Sequence, residues 1–337
     1  MQEIVSDQMT DEQKMFAIAR YCQSNIRYEQ AYLSGGEFIP NAAPFVFRHR
    51  YGDCKDYSTL MVVMARIAGL HPDLALCWRG NGHPFFDGLP VALNQFNHMI
   101  VHWQTPGREY WFDGTNPPEA IGVPDEDVVN ARALILHTGA SSLATIAELP
   151  ENLASVSGTL QVIEDDLMGA LTVRLQGQYA VAFLTIRRWM NNTSMKATLT
   201  KWIEKNIASQ ITIADVSWAV DSTTFVINAA CRFRNALWHA GGNVYVRFDK
   251  LFDKILPQED PGLEHNDVFY YPGYARVAVA VVIPGFRSPS HDGEFRWEDR
   301  FALPPGPFDE RSRSEFLRSY ANEAVKAAQT IRLMKKG

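Results

Sequence analysis

The stretch YGDCKDYSTLMVVMARIAGL, residues 51–70, constrains the fold most, because it places a thiol inside a charged cluster directly before a helix that must be buried. Asp53 precedes the apolar-periodic run and fits an N-cap, and Gly69 fits the position just past the helix end. Leu60, Val63, Met64 and Ile67 recur at helical spacing and predict the inward stripe. Cys54 therefore falls in the first turn. There the free N–H groups and the positive end of the helix dipole favour a thiolate, while Asp53 and Asp56 partly oppose it. The Cys54 backbone N–H, at the same terminus, is a candidate oxyanion donor. A small buried apolar residue is the other reading of such a cysteine, and only a partner base separates the two.

The chain surrounding this helix has 337 residues, 46% of them hydrophobic, enough for a large core and, at roughly 150 residues per domain, for two domains. A net charge of −6, with no basic block beyond Lys335-Lys336, gives no field for a polyanion and excludes nucleic acid as an expected partner. The first residues, MQEIVSDQMTDEQKM, show no basic segment followed by an apolar one, so no signal peptide is expected in this chain. The longest apolar stretches, 60–70 and 275–286, are interrupted by Arg66 and Arg276 and fall short of the ~20 residues a membrane span needs. Four cysteines, Cys22, Cys54, Cys77 and Cys231, are too few for a disulfide framework, and without a CxxC pair they give no structural zinc motif.

Along the chain, residues 10–28 predict an amphipathic helix capped by Thr10, with Met15, Ile18, Ala19, Cys22 and Ile26 inward. A Gly/Pro/Asn-rich loop (34–44) leads to Tyr51-Gly52, the helix at 54–68 follows, and a strand is expected at 74–79. RGNGHPFFDGLP, 79–90, reads as a long surface loop, and 114–150 as a wrap or linker. From 156 the character changes to a strand, turn and strand, a helix at about 180–208, and strand-like runs at 211–219, 223–233, 243–248, 274–283 and 294–303. A helix at 312–335 closes the chain. These runs predict a mainly antiparallel, sandwich-like β domain with helical insertions.

QFNHMIVHW (95–103) and EYWFD (109–113) read as two strands of a hairpin around QTPGR. Phe96, His98, Ile100 and His102 alternate onto one face. With a two-residue turn at Thr105-Pro106, His98 faces Asp113 directly; with one at Pro106-Gly107 the two are diagonal neighbours on one face; an odd-length loop separates them. The hairpin can thus supply an imidazole and a carboxylate to fix its tautomer, the base and orienter of a Cys–His–Asp system. Taken singly, His98 also fits a half-buried strand histidine and Asp113 a turn-opening residue before Gly114. His102 is the rival base, but ~13 Å along the strand from His98 it cannot do the same work.

In chain order, RYGDCKD opening a helix, then FNHMIVHW, then YWFDGTNP resemble the transglutaminase-like superfamily. The nearer likeness is to bacterial multidomain proteins in which such a core sits between β-rich domains of unknown function. IGVPDEDVVNARALIL and ELPENLASVSG also resemble the segment after the core in those proteins. The resemblance implies an α+β, papain-like core, with the nucleophile on Cys54, the base on His98 and the orienting acid on Asp113. Two departures stand out: Tyr57-Ser58 replaces a frequent Lys-Ala, and Gly114 follows the acid where Pro is common. A second oxyanion donor is not placed. The resemblance also implies an upstream β domain and export to the bacterial envelope. Domains are accordingly expected at 1–125 (catalytic core), 126–155 (linker or wrap) and 156–337 (β-rich).

The expected chemistry is attack of the Cys54 thiolate on a carboxamide of a peptide or protein, with His98 protonating the leaving amine and a thioester forming. Water as second nucleophile gives a peptidase or amidase, an amine a transglutaminase. No Asp-x-Asp-x-Asp-Gly loop occurs, and no metal or other cofactor is expected. The aromatic loop at 79–90 is a candidate substrate wall. The rival from another class is a non-catalytic peptide- or glycan-binding scaffold. A metal site built from Cys54, Cys77, His71, His83, His98 and His102 fits poorly, because these spacings match no closed site.

Overall fold

The computed structural model describes residues 3–29, 39–80, 90–125, 127–147, 152–221, 223–256, 276–287, 295–302 and 310–335. It is mixed helix and sheet, of the α+β class expected, and divides into two compact units, Met1–Pro150 with Val181–Thr185, and Glu151–Ala180 with Ile186–Gly337.

The first unit opens with α1 (Asp11–Asn25), whose N-terminus is closed reciprocally: Thr10 accepts from the Gln13 N–H and Gln13 accepts from the Thr10 N–H. The chain extends through β1 (Arg27–Tyr28), turns through α2 (Ala43–His49) and reaches β2 (Tyr51–Gly52), which pairs in parallel with β1. The helix α2 begins in the last two residues of the expected loop (34–44) and runs on where no element was expected; a proline at its start and Arg50 in the left-handed region at its end delimit it. Next come α3 (Cys54–Ile67) and β3 (Asp73–Cys77), then β4 (His98–Thr105) and β5 (Arg108–Phe112), each strand shorter at one end than the sequence reading. Residues 114–150 are not a wrap throughout: β6 (Arg132–His137) and β7 (Ala140–Thr145) extend the same sheet, in the order β5-β4-β3-β6-β7.

One core joins the three helices to Val101, Trp103, Tyr110 and Phe112 of this sheet. A second gathers Ala75, Cys77, Ile100, Trp111, Ala133 and Ile135 with Val128 and Ile146. The inward stripe of α3 is rotated from expectation. Leu60 and Met64 are buried, but Val63 and Ile67 are 37% and 66% exposed, and Tyr57, Met61 and Ala65 take the inner face. The helix is packed against α1 and α2 as well as β4, so its buried arc is wider than a single stripe and is centred elsewhere.

The second unit begins with β8 (Leu153–Ile163) and β9 (Asp166–Gln176). The single helix expected at 180–208 is two, α4 (Gln178–Ile186), of which Val181–Thr185 belong to the first unit, and α5 (Asn192–Asn206), because Asn191 caps a new start by accepting from the Ser194 N–H. Strands β10 (Ile211–Asp221), β11 (Thr224–Phe233), β12 (Leu237–Ala240) and β13 (Asn243–Arg247) lead to the short α6 (Phe248–Leu251). They are followed by β14 (Arg276–Ile283), β15 (Phe286–Arg287), β16 (Phe295–Ala302), α7 (Glu310–Ala327) and β17 (Thr330–Lys335). The final helix is therefore shorter than expected and gives way to a strand. Six strands form a sheet in the order β10-β11-β9-β8-β14-β16, antiparallel except at β14–β8, and four form another, β12-β13-β17-β15. Among the described residues no helix is long and apolar enough to cross a membrane.

Candidate active site

The helix α3 starts as its sequence dictates. The Asp53 carboxylate accepts the Lys55 and Asp56 N–H groups at 3.1 and 3.3 Å, and the Asp56 carboxylate accepts the Asp53 N–H at 3.2 Å. Asp53 is also paired with the Lys55 ammonium, and Asp56 accepts from the Asn41 backbone and side chain at 2.7 and 3.1 Å. Both acids that oppose a thiolate are thus partly neutralised or engaged by donors. A Cβ on Gly52 would stand 2.6 Å from the Asp56 Cβ, which is why glycine precedes this cap.

Cys54 is the first residue of α3 and is half-buried, whereas Cys22, Cys77 and Cys231 are buried. Burial pushes the thiols of Cys22 and Cys231 up to about 12 and that of Cys77 well above the ordinary value, so these three are inert. The Ser58 hydroxyl, one turn further along α3, donates to the Met99 carbonyl at 3.0 Å and ties the helix start to the residue after His98.

The β4–β5 register settles the hairpin. Thr105 pairs with Arg108 and Val101 with Phe112, so the turn is Pro106-Gly107 and His98 and Asp113 are diagonal neighbours. Both lie at the same end of the sheet, His98 opening β4 and Asp113 directly following β5. His98 Nε2 donates to Asp113 Oδ2 at 2.7 Å, leaving Nδ1 as the other ring nitrogen. Burial alone lowers the His98 pKa. The charge of Asp113, the hydrogen bond to it, and a hydrogen bond and charge interaction with Cys54 outweigh that burial and push it up to about 10. Burial likewise raises Asp113, but the His98 and Arg79 cations and the Thr115 hydroxyl hold it well below the usual carboxylate range.

Asp113 serves both a turn and the His98 imidazole, one oxygen facing each. Oδ1 accepts from the Thr115 N–H at 2.8 Å and its hydroxyl at 2.7 Å, while Oδ2 takes His98. The Gln23 side chain donates to the Asp113 carbonyl at 2.9 Å, anchoring its main chain to α1.

Arg79 was not foreseen. Its Nη1 donates to Asp113 Oδ2 at 2.9 Å and to the Thr115 hydroxyl at 3.1 Å, its Nη2 to Asp125 at 2.6 Å and its Nε to Asp127 at 3.0 Å. A lone arginine beside a glycine-rich loop carries no sequence signal for partners 34 to 48 residues away.

Other candidates are placed elsewhere. His102 donates to Glu109 at 2.8 Å and leans on Trp111, so it is a structural strand histidine. Cys77 is buried opposite His98, His71 is exposed, and His83 lies outside the described residues, as does most of the loop at 79–90. Among the described residues no three His, Cys, Asp or Glu side chains are placed to hold a metal ion.

In comparison with protein families, residues 1–112 match the transglutaminase-like superfamily, a stretch that includes Cys54 and His98 and stops one residue before Asp113. Among solved structures, the chain is similar to a candidate protease from Parabacteroides distasonis ATCC 8503, at 11% identity and a TM-score of 0.46, over 98% of this chain and 54% of that one. The chain therefore spans about half the length of that structure. No curated protein matches it.

Proposed function

We propose that Cys54, His98 and Asp113 form a nucleophilic triad for acyl transfer at amide bonds of a peptide or protein. The observation that carries this reading is the buried 2.7 Å bond between His98 Nε2 and Asp113 Oδ2, with Cys54 among the groups that push the His98 imidazole up. The Asp113 carboxylate favours the imidazolium form of His98, the form that can protonate a leaving amine. In the reaction the Cys54 sulfur bonds to the carbonyl carbon, with the Cys54 backbone N–H as the candidate donor to the resulting oxyanion. The C–N bond then breaks as His98 gives its proton to the leaving amine, leaving a thioester. His98, now neutral, accepts a proton from water or from an amine as that nucleophile adds, and the thiolate leaves.

The test is iodoacetamide labelling near neutral pH. Stoichiometric modification of Cys54 that is lost in His98→Ala supports the reading, and an unreactive Cys54 overturns it in favour of a binding scaffold. Incubation with glutamine peptides, with and without a primary amine, followed by mass measurement, separates hydrolysis from transfer.

A further inference from the structure

Asp113 Oδ2 accepts two donors, His98 Nε2 at 2.7 Å and Arg79 Nη1 at 2.9 Å. A carboxylate next to a histidine can turn about its Cβ–Cγ bond and present either oxygen; two donors on one oxygen and Thr115 on the other remove that freedom. What fixes Arg79 is its far side. Nη2 and Nε are bound to Asp125 and Asp127, and Asp127 has a second oxygen that is buried with no partner among the described residues. The backbone of Arg79 is held too. Its N–H donates to Asn97 Oδ1 at 2.7 Å and its carbonyl accepts from Asn97 Nδ2 at 2.9 Å, and Asn97 directly precedes His98. The next N–H, of Gly80, donates to the Asp127 carbonyl at 3.1 Å.

We propose that Arg79 is a positioning residue, a guanidinium tethered by Asp125 and Asp127 that sets the plane of the Asp113 carboxylate and so aims His98 at Cys54. The fork geometry matters because a guanidinium presents several N–H groups at fixed angles in one plane, whereas an ammonium presents a point charge. Asp125, Asp127 and the residues just after β3 thereby become parts of the base's mounting. This inference rests on the triad reading above.

The experiment follows the His98 Nε2–H proton by NMR in the full chain with labelled histidine, a signal that does not depend on turnover. In the wild type a low-field resonance is expected at pH 7. Arg79→Met should broaden it beyond detection. Arg79→Lys should restore it, with hydrogen exchange about tenfold faster than wild type, as befits the loss of roughly one hydrogen bond's worth of restraint. Should Arg79→Met fail to fold, Asp125→Asn combined with Asp127→Asn carries the test. It leaves Arg79, Asp113 and His98 in place but slackens the tether, and should also speed exchange about tenfold. A wild-type resonance and exchange rate in folded Arg79→Met, or in the double variant, overturns the proposal, as does absence of the resonance from the wild type. The expected changes together with an inert Cys54 would overturn the triad reading and leave Arg79 as the positioner of the His98–Asp113 pair.

Discussion

Gly114 lies against Tyr57: a Cβ built on Gly114 would stand 2.8 Å from the Tyr57 Cβ and 2.9 Å from its Cδ1. Tyr57 and Gly114 are two of the three positions at which the chain departs from the pattern it resembles, Ser58 being the third, and their contact couples the two. A tyrosine one turn into α3 fills the space that a side chain after the acid would need. Gly114→Ala is therefore expected to overpack this contact and cost about 1–3 kcal/mol. In a Tyr57→Gly background, which removes the Cβ as well as the ring, the same change should cost about 1 kcal/mol less, which urea denaturation of the four proteins measures as a double-mutant cycle. Equal costs in both backgrounds would refute the coupling.

The stability contributed by His98 has a definite pH window. Its folded pKa, about 10, lies above the ordinary value of 6.5. The contribution is therefore fully present below about 6.5 and is lost as pH rises through about 10. The part of the Asp113 depression that comes from His98 is the same interaction seen from the other side and is not counted twice, whereas the parts from Arg79 and Thr115 are separate. Wild type should exceed His98→Gln by on the order of 2 kcal/mol at pH 6, with the gap shrinking by pH 10.5. Denaturant titrations at both pH values check this, and a gap independent of pH would count against the ion pair.

The cap of α3 separates charge from hydrogen bonding. Asp53→Ala removes the acceptor for the Lys55 and Asp56 N–H groups and should cost about 1 kcal/mol. Asp53→Asn keeps an acceptor and should cost less. Thermal denaturation of the two variants decides, and equal losses would mean that the Lys55 pairing, not the cap, is what matters.

Gln23 is buried with its amide donating to the Asp113 carbonyl, while its Oε1 has no partner among the described residues. Gln23→Leu loses a bond but also removes an unsatisfied oxygen, so its cost should stay within about 1 kcal/mol. Gln23→Glu buries a carboxylate beside that carbonyl and should cost more than about 2 kcal/mol. Chemical denaturation at pH 7 distinguishes them, and the reverse order would show that the amide is flipped.

What the sequence made legible was local. The Asp53 cap, the α1 capping box and the alternation that brings His98 and Asp113 onto one hairpin all follow from residues within one turn or one strand pair. Even the register could have been chosen in advance: proline presets the first turn residue and Gly107, at a φ of +98°, takes the second. What stayed hidden was set by distant neighbours. The arc that α3 buries depends on α1, α2 and β4 surrounding it, and the Arg79 tether joins residues from β3 to Asp127 that no spacing rule connects. The strands at 132–145 escaped notice because β7, ASSLAT, is an exposed edge with no apolar alternation to mark it.

The divided carboxylate of Asp113 has a consequence for substitution. Because its two edges answer to different masters, the turn and the base, it can be neither lengthened nor rotated without one of them going unserved. Asp113→Glu would carry the same charge yet is expected to behave nearly as badly as Asp113→Ala in Cys54 labelling. At this position the length and angle at which the carboxylate is attached, not anionic character alone, decide whether both edges are served.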